Sequence, residues 1–120
     1  ALLSGFVAGI ELLKPGVQLS EIYHLTLEAI RKCGFPGYTR GHFGHGLGAG
    51  LGIEQWPFIS ADEKTILQPG MVMAFECPWY IDGVGGMIIE NQFLITNNGH
   101  EMMTKLPLGL EEINKTSIIR

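Results

Sequence analysis

Near residue 40 the spacing of apolar residues changes from the three-and-four step of a helix to the alternation of a strand. Before that point Leu3, Phe6, Val7, Ile10 and Leu13 recur at helical spacing, and Lys14-Pro15-Gly16 ends the pattern. Ser20 stands where an N-cap belongs, and Ile22, Thr26, Ala29, Ile30 and Cys33 mark one face of a second helix that Gly34 and Pro36 close. Beyond residue 40, His42, Gly44, Gly46 and Gly48 alternate with Phe43, His45 and Leu47. Pro69-Gly70 introduces a strand over 71–77, Asp82-Gly83 signals a turn, and Gly86 to Glu90 reads as another strand. Residues 92–96 continue it, Asn98-Gly99 turns the chain, and 101–105 returns antiparallel. Two helices followed by an antiparallel sheet predict an α+β arrangement.

The composition limits what such a chain does. Its 120 residues are 46% hydrophobic and 17% charged, with a net charge of -4. A domain this small has a high ratio of surface to volume, so apolar surface this abundant implies a homodimer, or cover from chain outside residues 1–120, and both are expected. The eight basic residues are scattered, with no basic cluster to suggest nucleic acid. No apolar run reaches the length of a membrane span. Cys33 and Cys77 make neither a metal-binding spacing nor a disulfide framework, which predicts a reducing, cytoplasmic setting. Asn114-Lys115-Thr116 matches a glycosylation sequon of a kind common by chance. The opening Ala1-Leu2-Leu3-Ser4-Gly5 reads as the middle of a helix without a cap, as expected of a fragment.

Three polar residues interrupt this apolar pattern. His45 lies between glycines, Glu76 follows Met71-Val72-Met73-Ala74-Phe75, and Glu90 follows Met87-Ile88-Ile89. An ionised carboxylate at the end of an apolar strand is costly to bury unless a cation or strong donors compensate it. Two such strand ends and an imidazole make a mixed oxygen and nitrogen ligand set. A hydrogen-bonded core histidine with two solvated edge carboxylates would give the same pattern, and these residues by themselves do not choose. The glycines from Gly44 to Gly52 complete neither G-x-G-x-x-G nor a phosphate-binding G-K-[ST], which removes a nucleotide reading.

Larger motifs do choose. Gly44-His45-Gly46-Leu47-Gly48 with Trp56-Pro57 resembles G-H-G-[IL]-G…H-E-x-P. Leu67-Gln68-Pro69-Gly70-Met71-Val72 running into Phe75-Glu76 and Tyr80 resembles L-x-P-G-M-V…E-P-G-x-Y. Gly85-Gly86-Met87-Ile88-Ile89-Glu90 with Leu94-Ile95-Thr96 resembles G-G-V-R-I-E-D…L-V-T. In this order the blocks resemble the second half of the catalytic domain of prolidases, aminopeptidases P and creatinases, over the chain to about residue 106. The resemblance implies the C-terminal half of a pita-bread fold, two helices and a curved antiparallel sheet, with the N-terminal half and its two aspartate ligands absent from residues 1–120.

It also implies roles. His45, Glu76 and Glu90 become metal ligands, joined in the family by two aspartates to hold two divalent ions, with manganese, cobalt, zinc or iron as candidates. Glu76 becomes the general base and Glu90 a bridge between the ions. The substrate is then a small peptide or amide, and residues 1–120 alone are expected to be inactive. Three departures bear on substrate. Glu54 stands at the family's second histidine, Ile88 at its arginine, and Gly41 at a further histidine, with His42 one step away and Arg40 near. Glu54 and His42 are therefore the candidate substrate-binding residues. Creatinase-like or lyase-like chemistry on a small non-peptide molecule, and a metal-free binding module, are the alternatives.

Overall fold

A computed structural model describes residues 1–50, 52 and 54–110. Two helices, α1 (Leu2–Ile10) and α2 (Leu19–Lys32), precede five strands: β1 (His42–Gly46), β2 (Gln55–Ser60), β3 (Val72–Ile81), β4 (Gly85–Ile95) and β5 (His100–Met102). The strands form one sheet in the order β2-β1-β3-β4-β5, and every neighbouring pair is antiparallel. The architecture is α+β, as the change of periodicity predicts. Among the described residues no helix is long and apolar enough to cross a membrane.

The helices cover one face of the sheet. Phe6 of α1 packs its ring 5.1 Å from that of Phe75 on β3 and 6.2 Å from that of Phe93 on β4. Tyr23 of α2 lies 5.2 Å from Phe43 of β1. Gly9 permits the close approach of α1, since a Cβ there would run into the Phe75 ring and the Thr26 hydroxyl. Phe6, Ile22, Ile30, Phe43, Phe75 and Phe93 are completely buried. Removing that apolar surface from water is the main force holding the two layers together.

Helix α2 starts one residue before the expected cap. Gln18 is the N-cap and Ser20 is buried in the first turn. The Gln18 backbone N–H donates to Glu21 Oε1 at 3.2 Å, so the acid three positions on closes the end instead of the serine. At the other end Cys33 is exposed beyond the helix, not on its buried face. Tyr23, unmarked by the pattern, is buried because its ring enters the core while its hydroxyl donates to the Arg40 carbonyl at 2.6 Å.

Strands β3 and β4 form one hairpin in unbroken register from Val72↔Leu94 to Ile81↔Gly85. Asp82-Gly83 turns it as expected, with Gly83 at φ 71. The strand expected over 71–77 therefore runs on to Ile81, and the two pieces expected over 86–96 are one strand. The final strand is shorter than expected, ending at Met102. The sequence reading marks no strand over 55–60; β2 lies at the sheet edge, where Pro57, lacking an N–H, is tolerated. The sequon at Asn114 lies outside the described residues, as do Leu51 and Ile53.

Candidate metal centre

Register alone puts the three candidate ligands on one face of the sheet. His45 pairs with Ala74, and Glu76 pairs with Glu90. Side chains two residues apart on a strand share a face, and directly opposed residues share it across strands. Phe75 points the other way, onto Phe6, so His45, Glu76 and Glu90 face away from the helices. His45 and Glu76 are buried at 6% and 7% exposure, whereas Glu90 is exposed.

Strict alternation would send His42 to the opposite face from His45. The structure corrects this. The β1–β2 register shifts between His42 and His45, so β1 carries a bulge there. Phe43 turns into the core, while Gly44 has φ 148 and lies against the Ala74 carbonyl, where a Cβ would collide. Both imidazoles then reach the same face, their centroids 6.5 Å apart. Glycine is required at position 44 by conformation and by space.

His42 stands between two carboxylates. Its Nδ1 is 3.5 Å from Glu76 Oε1, and its Nε2 is 3.6 Å from Glu54 Oε2. The Gly44 N–H donates to Nδ1 at 3.3 Å, so that nitrogen has no proton for Glu76. Arg40 approaches Glu76 Oε1 with Nη2 at 3.6 Å, donates from Nε to the His42 carbonyl at 3.3 Å, and sets its guanidinium 5.7 Å over the Tyr80 ring. Oε1 is nonetheless buried with no hydrogen-bond donor. A carboxylate oxygen orphaned in this way is expensive to bury. Its burial fits a site that receives a cation, and the surrounding nitrogen and oxygen donors suit a borderline divalent metal.

Among the described residues, the group whose ligand atoms come within 4.8 Å of one another is His42, Glu54 and Glu76. His45 and Glu90 share the face without joining that tight group. His45 Nδ1 lies 3.0 Å from the Gly46 carbonyl; a proton on Nδ1 donates there and leaves the Nε2 lone pair for a ligand. The reach of Arg40 and His42 to Glu76 was not apparent in the sequence, and the signal that points to it is the glycine at 44. Cys77 faces the core beside Glu76. Burial, and then the Glu76 charge, push its thiol up to about 12, so it is a neutral packing group. Burial above all raises the Tyr38 phenol to about 12 as well, and its hydroxyl donates to the Pro78 carbonyl at 2.6 Å, tying the 33–41 connection to β3.

Residues 1–97 match the model of metallopeptidase family M24. The chain belongs to that family. An M24 relative, the Xaa-Pro dipeptidase of Pyrococcus furiosus, is 40% identical over 96 residues, which are 80% of this chain and 27% of the relative. The chain thus spans about a quarter of the length of the curated relatives it matches. The solved prolidase from Pyrococcus furiosus superimposes with a TM-score of 0.79 at 37% identity, covering 88% of this chain and 31% of that one. The Xaa-Pro dipeptidase from Bacillus anthracis gives a TM-score of 0.80 at 34% identity, covering 91% and 30%. The fold is therefore that of the M24 pita-bread enzymes over the portion the chain spans.

Proposed function

We propose that the intact protein is a dinuclear metal-dependent hydrolase resembling the Xaa-Pro dipeptidases, and that residues 1–120 are the C-terminal half of its catalytic domain. The observation that carries this reading is Glu76, a buried carboxylate with an oxygen no donor reaches, set directly opposite Glu90 on a family M24 sheet. In this reading His45 Nε2, Glu76 and Glu90 are ligands, and an N-terminal half contributes two aspartates. Manganese, cobalt, zinc or iron would suit these donors. When bound, such a pair of ions lowers the pKa of a water and polarises a scissile carbonyl.

The remaining work falls to the chain's own side chains. Glu76 takes up the proton of the attacking water. The Gly46 carbonyl keeps the His45 ring in one orientation. Glu54 and His42 border the site on the substrate side, next to Phe58, whose ring is 5.3 Å from that of His42. Ile88, half exposed on the same face opposite Pro78, offers an apolar surface. That surface favours a second reading, in which the substrate is a small amide or non-peptide molecule without a carboxylate to recognise.

The deciding experiment uses the intact protein loaded with manganese and a panel of Xaa-Pro dipeptides beside small amide and guanidino compounds. Glu76→Gln keeps the side-chain shape and removes the base and the ligand charge. Turnover should fall by roughly two orders of magnitude or more while the circular dichroism spectrum is unchanged. Turnover within a few-fold of the parent (an order-of-magnitude margin) would remove Glu76 from the chemistry. Exposed Leu3, Val7 and Met87 support the homodimer as part of the proposal, checked by light scattering.

A further inference from the structure

We propose that Arg40 selects an anionic substrate, its guanidinium binding the carboxylate of a Xaa-Pro dipeptide. The five strands contain no lysine or arginine, so the face that carries Glu76 and Glu90 draws permanent positive charge from the chain beside it. Arg40, just before β1, supplies that charge. Its Nη2 stands 3.6 Å from Glu76 Oε1, and its guanidinium lies 5.7 Å from the centre of the Tyr80 ring. Glu76, Pro78 and Tyr80 alternate along β3 and share a face, so a group that touches the first and the last lies over Pro78. The cross-strand partner of Pro78 is Ile88. Ile88 is the position at which the motif G-G-V-R-I-E-D has its arginine. This chain therefore carries a guanidinium at the same level of the sheet, delivered from the β1 side instead of from β4.

The arginine is held ready for a ligand. The Tyr23 hydroxyl donates to the Arg40 carbonyl at 2.6 Å, and the Tyr38 hydroxyl donates to the Pro78 carbonyl at 2.6 Å. Both tyrosines are buried, so the backbone leading into β1 is pinned on either side of Thr39. In the side chain, Nε donates to the His42 carbonyl at 3.3 Å, and the Tyr80 ring supports the guanidinium. Among the described residues Nη1 and Nη2 make no hydrogen bond. The side chain is 25% exposed, so a ligand reaches it from solvent. A fixed, planar fork of N–H donors matches a carboxylate, which accepts two parallel hydrogen bonds from it.

The preference for a carboxylate follows from Arg40 itself, whereas the choice of a Xaa-Pro dipeptide rests on the hydrolase reading. In that reading Glu76 is committed to the metal ions, which leaves the guanidinium to the substrate. The apolar surface of Ile88 then has a cation beside it, which favours an acidic peptide over an uncharged amide.

Calorimetry on the intact manganese-loaded protein tests this with proline and prolinamide, which share a ring and differ at the carboxylate. A hydrogen bond to a charged group is worth roughly 10- to 100-fold in affinity. The parent should bind proline at least about tenfold more tightly than prolinamide, and Arg40→Gln should bring the two within about threefold by weakening proline. Equal weakening of both ligands would mean a purely structural role and would overturn the proposal. So would a proline preference that persists in Arg40→Gln or is missing from the parent. Where Arg40→Gln unfolds, Arg40→Lys decides, because it keeps the charge and loses the fork. The preference should then drop at least about threefold, and an unchanged one overturns the proposal. Turnover of Xaa-Pro dipeptides reports on the hydrolase reading separately: an inactive protein with the proline preference intact loses that reading and keeps the carboxylate site at Arg40.

Discussion

Gly44→Ala is the most direct test of how β1 places its histidines. At φ 148 the backbone is in a region that an L side chain rarely adopts, and the added methyl would meet the Ala74 carbonyl, part of the neighbouring strand. Backbone strain of that kind costs about 1–3 kcal/mol. Forcing a methyl into a closed gap costs about 1–3 kcal/mol more, because the obstacle is main chain and cannot rotate aside. The combined loss, about 2–6 kcal/mol, is a large part of the roughly 5–15 kcal/mol that stabilises a typical domain. At about 4–8 °C per kcal/mol for a domain near this size, the melting temperature should drop by at least about 8 °C. Differential scanning calorimetry of the chain measures it, with Gly41→Ala as the control, since no atom lies within 4 Å of a Cβ at Gly41. A Gly44→Ala protein melting within about 2 °C of the parent would refute the account of the bulge.

Two further outcomes follow from the buried thiol and phenol. In the native chain Cys33 should react with a thiol reagent at about pH 8 and Cys77 should not, because Cys77 is buried and its thiol is raised to about 12. Two fast-reacting thiols without denaturant would contradict this. Stability should also fall as the pH rises: the unfolded thiol and phenol ionise near 9.0 and 10.0, while the folded groups keep their protons to about 12. The unfolded state then binds fewer protons, so this contribution is complete below pH 9.0 and is lost towards about 12. Urea midpoints that do not differ between about pH 8 and about pH 10.5 would show the two groups are not buried as described.

Much of the fold can be read from residue spacing because the elements are amphipathic. Phe6 and Ile10 repeat at helical steps since α1 lies on the sheet, and Asp82-Gly83 announces the β3–β4 turn through its backbone preference. What spacing could not show depends on neighbours distant in sequence. Strand β2 exists because β1 pairs with it, against the tendency of Pro57. Helix α2 begins where Glu21 can reach back to Gln18, two residues earlier than a Ser20 cap suggests. At the site, Glu76 and Glu90 stand out because each closes an apolar run, and the hairpin register sets them opposite each other. The approach of His42 to Glu76 was hidden, because an alternating pattern assigns residues three apart to opposite faces and only the bulge at Gly44 reverses that.

The opposed pair Glu76 and Glu90 makes the hairpin work against itself. Directly facing like charges destabilise a sheet by about 0.2–1 kcal/mol, and this pair sits midway along the longest register in the molecule. Replacing Glu90 with glutamine should therefore raise the melting temperature in chelator-treated buffer, and an unchanged or lower value would show the repulsion is already relieved. In the parent chain any divalent cation that binds only the folded state offsets that repulsion, adding about 2.7 kcal/mol at a hundred times its dissociation constant. If the proposed metal site binds in this chain, a chelator lowers its stability and a divalent ion raises it by binding, so its half-life under proteolysis becomes a gauge of free metal.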